Sequence, residues 1–167
     1  VNLTVIDNDG NKGSIEKQIV VLNTPPVADF SWQPSEPTDI EDVIFNASLS
    51  YDIDGYIVSY AWDFESDGII DEYGMNTMHI YQDNGKYNVT LIITDDDGAT
   101  DSVTKMITIL NVPPTPSFSY TPEEPTDLEI VEFTDSSIDL DGSIINWTWD
   151  FGDGNVSYEK NPKHQYR

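Results

Sequence analysis

The chain has 167 residues, with 31 acidic against 7 basic side chains and a formal net charge of −24 at pH 7. This charge excludes nucleic acid and anionic membrane surfaces as partners, because both require a basic protein face. The sequence also lacks cysteine, which excludes disulfides and thiolate metal sites, and has no apolar run of roughly 18 residues that could span a membrane.

A repeat of 87 to 88 residues organises the chain. The segment Asn23–Asp39 returns as Asn111–Asp127, and residues 1–26 align without a gap on residues 89–114. Such a period fits a small β-domain better than a solenoid unit. We therefore predict three units: 1–24 as the C-terminal part of one repeat, 25–112 as a complete repeat, and 113–167 as the N-terminal part of a further repeat.

Apolar residues alternate with polar ones along most of the chain, and this period of two predicts strands. On the run from Tyr56 to Phe64 we expect alternate residues to share the core face; they are Tyr56, Val58, Tyr60, Trp62 and Phe64. About seven short strands per repeat, without a helical period, predict an all-β, Ig-like sandwich of two sheets. The predicted strand runs, in chain order, are Val1–Val5, Ile15–Val21, Val27–Trp32, Val43–Ala47, Tyr56–Phe64, Met78–Tyr81, Tyr87–Ile93, Val103–Ile109 and Ile145–Phe151.

Double prolines mark the joints between repeats, at Pro25–Pro26 and Pro113–Pro114. Proline fixes its own backbone and holds the residue before it in an extended shape. A joint this short acts as a stiff spacer rather than a flexible tether. We therefore expect the tandem repeats to form a semi-rigid rod.

Several recurring motifs identify a family. The chain carries Asn-x-Pro-Pro-x-x-x-Phe at 23–30 and 111–118, Asp-x-Asp-Gly-x-Ile at 52–57 and 139–144, and Trp-Asp-Phe at 62–64 and 149–151. Together these resemble the PKD domain over the whole chain. The resemblance implies a two-sheet β-sandwich that serves as an extracellular spacer, adhesion or assembly module. Similar tandem arrays occur in archaeal and bacterial surface-layer and cell-surface proteins, and beside catalytic domains of secreted hydrolases.

The complete repeat departs from the family motif in one acidic loop, Asp63–Asp71. Asp63, Glu65, Asp67 and Asp71 place oxygen ligands at positions 1, 3, 5 and 9 of a pattern that resembles an EF-hand. Position 12 is glycine, so the usual bidentate glutamate is missing. The sequence predicts a Ca²⁺ site here, with a simple acidic hairpin loop as the alternative.

Two further acidic turns are weaker candidates for binding a cation. They contain Asp7 and Asp9 near the start of the chain, and Asp95 and Asp97 at the equivalent place in the complete repeat. Asp-Gly sequences also suit tight β-turns without any metal. Cation binding and a metal-free β-turn are therefore both open for these sequences. We hypothesise that a cation shared across a joint would stiffen the rod.

Five Asn-x-Ser/Thr sequons indicate a glycosylated surface protein. Asn88 and Asn146 lie on strand faces opposite the predicted core. Surface glycans are a further candidate partner, which exposed aromatics such as Trp32, Tyr73 or Tyr120 could bind by stacking. The sequon asparagines are Asn2, Asn46, Asn88, Asn146 and Asn155.

Catalysis has little support in the sequence. His79 and His164 occupy the same repeat position, each two residues before a tyrosine, which favours a shared structural role. No set of nucleophile, base and orienting residue is legible. We therefore predict a protein that is not an enzyme.

The two partial units are complementary halves of one repeat. The end of the chain aligns with residues 79–82 and its start with residue 89, so only residues equivalent to 83–88 are missing between them. We expect either a window of a longer array or completion between neighbouring copies by strand donation. The favoured function is a structural, self-associating module of an extracellular layer, sheath or filament; the alternative is an adhesin or the polysaccharide- or protein-binding accessory of a secreted hydrolase.

Overall fold

The computed structural model describes residues 1–167, which form strands and connecting turns but no helix. Accordingly, it contains no helix long and apolar enough to cross a membrane. The strands are β1 (Asn2–Ile6), β2 (Lys12–Glu16), β3 (Ser31–Gln33), β4 (Val43–Asn46), β5 (Ile57–Asp63), β6 (Glu72–Tyr73), β7 (Asn76–His79), β8 (Gly85–Asp95), β9 (Thr100–Ile109), β10 (Phe118–Thr121), β11 (Val131–Asp135), β12 (Trp149–Asp150), β13 (Val156–Ser157) and β14 (Lys163–His164).

The complete repeat is a sandwich of two antiparallel sheets. One sheet has the strand order β3-β4-β7, and the other has the order β6-β5-β8-β9. Alternation along the long strand β8 sends Val89, Leu91 and Ile93 into the core, each with 0% of its surface exposed. The predicted all-β sandwich class is confirmed.

Aromatic side chains form the centre of this core. Trp62 from β5 lies edge-on to Phe30, with 5.1 Å between ring centroids, and 5.6 Å from Phe45 of the opposite sheet. Its indole Nε1–H donates to the carbonyl of Gly74 at 2.8 Å, so the one polar atom of the buried ring is satisfied. These contacts hold the two sheets together across the sandwich.

One predicted strand face is wrong at the start of β5. A β-bulge between Ile57 and Ser59 shifts the pairing register with β8. The extra residue reverses the inward and outward positions, so Ile57 packs against the core while Tyr56 and Val58 are exposed. Beyond the bulge the expected pattern resumes, and Tyr60 and Trp62 face inward.

The two partial units keep the strand pairings of the complete repeat but expose their apolar faces. β1 and β2 form a hairpin in which every residue is exposed. Residues 113–167 form two small sheets, with the orders β10-β11-β14 and β12-β13. In residues 113–167, the third repeat, the buried apolar side chains are Val131, Phe133 and Pro162.

Candidate functional site

The acidic loop between β5 and β6 brings three carboxylates together. Asp63, Glu65 and Asp71 each offer an oxygen atom, and these atoms lie within 4.8 Å of one another. Asp63 Oδ1 and Oδ2 accept hydrogen bonds from the backbone N–H groups of Asp67 and Gly68, at 3.1 and 2.8 Å. Asp71 Oδ2 also accepts the backbone N–H of Phe64 at 2.7 Å, so two of the three carboxylates help to fix the shape of the loop.

Glu65 is the carboxylate of this loop whose ionised form is disfavoured by its surroundings. Burial raises its pKa, and the nearby charges of Asp71, Asp67 and Asp63 raise it further. Its Oε1 lies 3.5 Å from Nε2 of His79, whose own pKa is lowered, mainly by burial. Since His79 is held towards its neutral form, it gives little compensation, and a divalent cation would relieve the repulsion.

Asp67, the fourth predicted ligand of this loop, is outside the three-carboxylate cluster. Its Oδ1 accepts the backbone N–H of Ile69 at 2.8 Å and supports the turn at the loop tip. A metal bound by the cluster would therefore have to obtain its remaining oxygens from backbone carbonyls or water, because Ca²⁺ takes six to eight ligands.

The other predicted metal residues lie in separate turns. Asp7 Oδ1 accepts the backbone N–H groups of Asp9 and Asn11, and Asp95 Oδ1 accepts those of Asp97 and Ala99. The same hydrogen bonds form in both repeats, and they explain why aspartate occurs in these turns without any bound metal. The structure brings neither Asp9 nor Asp97 into a group of three ligands.

Both joints contain the same backbone-to-carboxylate hydrogen bond. Thr24 N–H donates to Asp54 Oδ2 at 3.1 Å, and Val112 N–H donates to Asp141 Oδ2 at 2.6 Å. In each case the residue before the double proline is held by the Asp-x-Asp-Gly loop of the repeat that follows. Asn23 adds a second bond at the first joint, from its Nδ2 to Asp95 Oδ2 at 2.8 Å.

At the second joint the Asp141 carboxylate lies beside those of Asp39 and Asp139, and sequence reasoning missed these contacts. Asp39 of the complete repeat is 8% exposed, and its Oδ1 has no hydrogen-bond partner. Burial raises the pKa of Asp39, and the neighbouring Asp141 carboxylate raises it further. Proximity to Asp141 likewise raises the pKa of Asp139, whereas the hydrogen bond donated by the Val112 N–H lowers the pKa of Asp141. The repeated Asp-x-Asp-Gly motif pointed to this loop, but no local pattern pointed to Asp39.

The histidines have matching aromatic environments in both repeats. His79 stacks on Phe64 with centroids 4.3 Å apart, and His164 stacks on Phe151 at 4.2 Å. Each also meets the edge of the tyrosine two residues later. These contacts support the predicted structural role for the pair.

The sequon asparagines and the aromatic residues that could bind glycans differ in their exposure to solvent. Four of the sequon asparagines are exposed and Asn46 is half-buried. Among the aromatics expected at the surface, Tyr73 is 66% exposed, whereas Trp32 packs against the core. Tyr120, at the position equivalent to Trp32, contacts Phe133 on the open face of the third repeat. The exposed sequon asparagines are Asn2, Asn88, Asn146 and Asn155.

Comparisons with known proteins identify related domains. A family model described as "PKD domain" matches residues 23–109 and 111–167. Over 145 residues the chain is 30% identical to the pre-pro-metalloprotease PrtV of Vibrio cholerae, covering 83% of this chain and 14% of that protein. Over 69 residues it is 38% identical to the collagenase ColQ1 of Bacillus cereus, covering 41% of this chain and 7% of that protein.

A solved domain gives a similar match. The crystal structure of the PKD1 domain of Vibrio anguillarum Epp is 35% identical, with a TM-score of 0.45, and the match covers 53% of this chain and 96% of that one. The chain spans less than a fifth of the length of the two relatives named above.

Proposed function

We propose that this chain, which belongs to the PKD domain family, is a non-catalytic spacer that holds an extracellular protein or assembly in an extended, semi-rigid shape. Its mechanism is mechanical. The β-ladders keep each sandwich folded, and the short joints limit rotation between neighbouring sandwiches.

The observation that carries this proposal is the hydrogen bond repeated at both joints. At the second joint, Leu110 is fixed to its own repeat, since its N–H donates to the Pro37 carbonyl at 2.8 Å. Two residues later Val112 is bound to Asp141 of the next repeat. Only Asn111 separates the two anchors, and the prolines that follow restrict the backbone further. The linker therefore has little freedom to bend.

Calcium is part of the proposal. Asp63, Glu65 and Asp71 would hold the ion in the acidic loop, where it would neutralise the repulsion that raises the pKa of Glu65. A second cation at the joint, beside the unpartnered Oδ1 of Asp39, would connect adjacent repeats. Both ions would reduce the net charge of −24, which opposes compaction.

We further propose that the array lies at a prokaryotic cell surface, in a layer, sheath or filament, and that copies associate with one another. The acidic composition and the exposed sequons support a solvated, glycosylated surface.

Negative-stain electron microscopy with small-angle X-ray scattering tests this function. The purified chain is measured in CaCl₂ and in EDTA, each across a range of protein concentrations. We expect extended particles that lengthen with concentration, and that become shorter or more flexible in EDTA. Compact, freely jointed particles in both buffers would contradict the spacer function.

A second candidate function is an accessory module beside a catalytic domain. Two relatives are named as a metalloprotease and a collagenase, and the matching segments occupy only 14% and 7% of their lengths. In this role the domains would bind a protein or polysaccharide substrate. Co-sedimentation of the chain with insoluble collagen and with chitin, using bovine serum albumin as the control, separates this candidate from a pure spacer.

A further inference from the structure

The linker of the second joint fixes one carboxylate from each of the two repeats that it connects. On one side, the backbone N–H of Asp39 donates to the Leu110 carbonyl at 3.2 Å. On the other side, the Asp141 carboxylate accepts the Val112 N–H at 2.6 Å. Residues two apart in a chain are separated by at most about 7 Å, so the linker brings the two aspartates to the same place.

Asp39 reaches this place from the complete repeat and is almost entirely buried. Only 8% of its surface is exposed, and its Oδ1 has no hydrogen-bond partner. Its carboxylate lies close enough to that of Asp141 for each to affect the ionisation of the other. A buried carboxylate oxygen without a partner is costly, and proteins normally satisfy such an atom with a hydrogen bond or an ion.

Asp139 supplies a second unsatisfied carboxylate oxygen at the same joint. Its Oδ1 is likewise buried and has no hydrogen-bond partner. Its Oδ2 lies so close to the backbone of Gly142 that a Cβ atom there would approach it to 3.3 Å. This turn holds the Asp139 side chain beside that of Asp141.

No ion pair neutralises these three residues, which we call the joint carboxylates: Asp39, Asp139 and Asp141. The ion pairs of the structure all join other side chains; they are His79–Glu65, Lys105–Asp29, Lys163–Glu132 and His164–Asp153. Three carboxylates in and around a buried site repel one another unless a positive charge lies between them. Compensation therefore requires a proton or a metal ion from solution.

A divalent cation satisfies the joint carboxylates better than a proton does. One proton neutralises one carboxylate and connects at most two, whereas Ca²⁺ accepts six to eight oxygen ligands in a flexible geometry. Carboxylate oxygens are the hard ligands that Ca²⁺ prefers, and the chain has no cysteine thiolate to select a softer metal. The remaining ligands would be water molecules or backbone carbonyls.

We propose that the joint carboxylates hold a Ca²⁺ ion between the complete repeat and the next one, with Asp39 supplied by the first and Asp139 and Asp141 by the second. This inference rests on the spacer function proposed above and names the ligands of the ion that would stiffen its joint. Unlike the acidic loop between β5 and β6, the site takes its ligands from two repeats.

Ca²⁺ binding and closure of the joint are coupled, because the site is complete only when both repeats lie against the linker. The ion binds the closed joint more tightly, and it shifts the joint towards that conformation by the same free energy. Without Ca²⁺, repulsion between the joint carboxylates opposes closure, although the hydrogen bond from Val112 to Asp141 favours it. The stiffness of the joint therefore depends on the Ca²⁺ concentration.

Isothermal titration calorimetry with CaCl₂ tests the site in the full chain. All measurements use a Glu65→Gln background, in which the acidic loop has lost one carboxylate of its cluster. Asp39→Asn removes one ligand of the joint site and keeps the shape of the side chain. Asp42→Asn, the matched control, removes an equal charge at an exposed position three residues away.

We expect Asp39→Asn to weaken one Ca²⁺-binding event at least about tenfold, because even the loss of an outer-shell partner costs about 10–100-fold in metal affinity. Asp42→Asn should leave this event unchanged. Asp139→Asn should weaken the same event, although Asp139 lies 100 residues further along the chain and in another repeat. If circular dichroism shows that Asp39→Asn is unfolded, Asp39→Ser takes its place.

Double electron–electron resonance measures the mobility of the joint in the same variants. The spin labels are attached at Lys86→Cys and Glu124→Cys, one in each repeat, in a chain that has no other cysteine. CaCl₂ should narrow the distance distribution relative to EDTA in the Glu65→Gln background and in Asp42→Asn. The distribution of Asp39→Asn should be the same in both buffers.

The results separate this inference from the function on which it rests. A narrow distribution in both buffers, with unchanged Ca²⁺ binding in Asp39→Asn and Asp139→Asn, would overturn the joint ion and leave the spacer function intact. A broad distribution in both buffers would overturn the spacer function and the coupling of Ca²⁺ to joint closure. Weaker Ca²⁺ binding in both variants, together with the Ca²⁺-dependent narrowing, would support both proposals.

Discussion

The backbone N–H of Val112 donates a hydrogen bond to Asp141 Oδ2 at 2.6 Å across the joint between the complete repeat and the next one. The carboxylate belongs to a loop 29 residues further along the chain, so the linker is held by the domain it enters. The same bond joins Thr24 to Asp54 one repeat earlier. We therefore expect the stiffness of each joint to depend on this carboxylate as well as on the double prolines.

Replacing Asp141 by alanine should loosen the second joint. The Val112 N–H would lose its charged acceptor, and the linker would gain freedom to rotate. Because the chain lacks cysteine, spin labels can be introduced at Lys86→Cys and Glu124→Cys, two exposed positions in the two repeats. Double electron–electron resonance should give a narrow distance distribution in the otherwise wild-type chain and a broader one in Asp141→Ala.

Asp54→Ala is the control for that experiment, since it removes the equivalent bond at the first joint. The labels flank only the second joint, so this variant should leave their distance distribution unchanged. Equal widths for Asp141→Ala and the wild-type background would show that the hydrogen bond does not restrain the joint.

Two neighbouring residues of β4 should differ greatly in their contribution to stability. Phe45 is 0% exposed and contacts Phe64 and Trp62, with ring centroids 5.1 and 5.6 Å apart. Phe45→Ala should lower the free energy of unfolding by about 3–5 kcal/mol, through lost burial and the cavity left behind. Ile44→Ala, on the outward face, should cost less than about 1 kcal/mol.

Denaturant unfolding monitored by tryptophan fluorescence provides this comparison. Trp62 lies in the affected core and Trp32 packs against it, so their part of the fluorescence change reports the complete repeat, whereas Trp147 and Trp149 belong to the next one. A similar loss of unfolding free energy in Phe45→Ala and Ile44→Ala would contradict the burial of Phe45 and the exposure of Ile44.

The strands and their core faces were predictable where a simple period of two continues. Val89, Leu91 and Ile93 are buried as the alternation of β8 requires. The prediction was wrong for Val58 because the bulge at Ile57 and Ser59 inserts one extra residue, and alternation alone does not reveal a bulge.

Contacts across the joints were less predictable than contacts inside a hairpin. Asp63, Glu65 and Asp71 come together because they are close in sequence on a single loop. Asp39 and Asp141 are far apart in the chain, and their contact depends on how two sandwiches meet at a proline-rich linker. No local spacing encodes that geometry, although the repeated Asp-x-Asp-Gly motif marks one side of it.

The ion pair between Asp29 and Lys105 should make the stability of the complete repeat depend on pH in the acidic range. The pKa of Asp29 is lowered below its ordinary value of 3.8, mainly because the Asp29 carboxylate accepts a hydrogen bond from Lys105. A carboxylate with a lowered pKa in the folded state adds stability above its unfolded pKa, and that contribution is lost as the pH falls through the folded pKa.

Thermal unfolding of wild type and Asp29→Asn at a series of pH values tests this linkage. Wild type should be more stable than Asp29→Asn above about pH 4, and the two should converge as the pH falls below that value. A difference that stays constant down to pH 2 would show that Asp29 acts through packing rather than through its charge.

Calcium should stabilise the complete repeat through Glu65. Without a cation, the raised pKa of Glu65 means that its ionised form is disfavoured in the folded loop and reduces stability at neutral pH. An ion bound by Asp63, Glu65 and Asp71 would remove this cost. At about 100 times its Kd, a ligand adds about 2.7 kcal/mol to the free energy of unfolding, which corresponds to a rise in Tm of roughly 10–20 °C for a domain of this size.

Differential scanning calorimetry in CaCl₂ and in EDTA measures this effect in matched variants. Glu65→Gln should raise Tm slightly in EDTA, because it removes the repulsion, and should abolish most of the response to calcium. Asp67→Asn keeps the oxygen that accepts the Ile69 N–H and lies outside the cluster, so it should respond like wild type. A calcium response that survives Glu65→Gln but disappears in Asp67→Asn would place the ion elsewhere in the loop, since Asp67 would then be a ligand and Glu65 only a neighbouring charge.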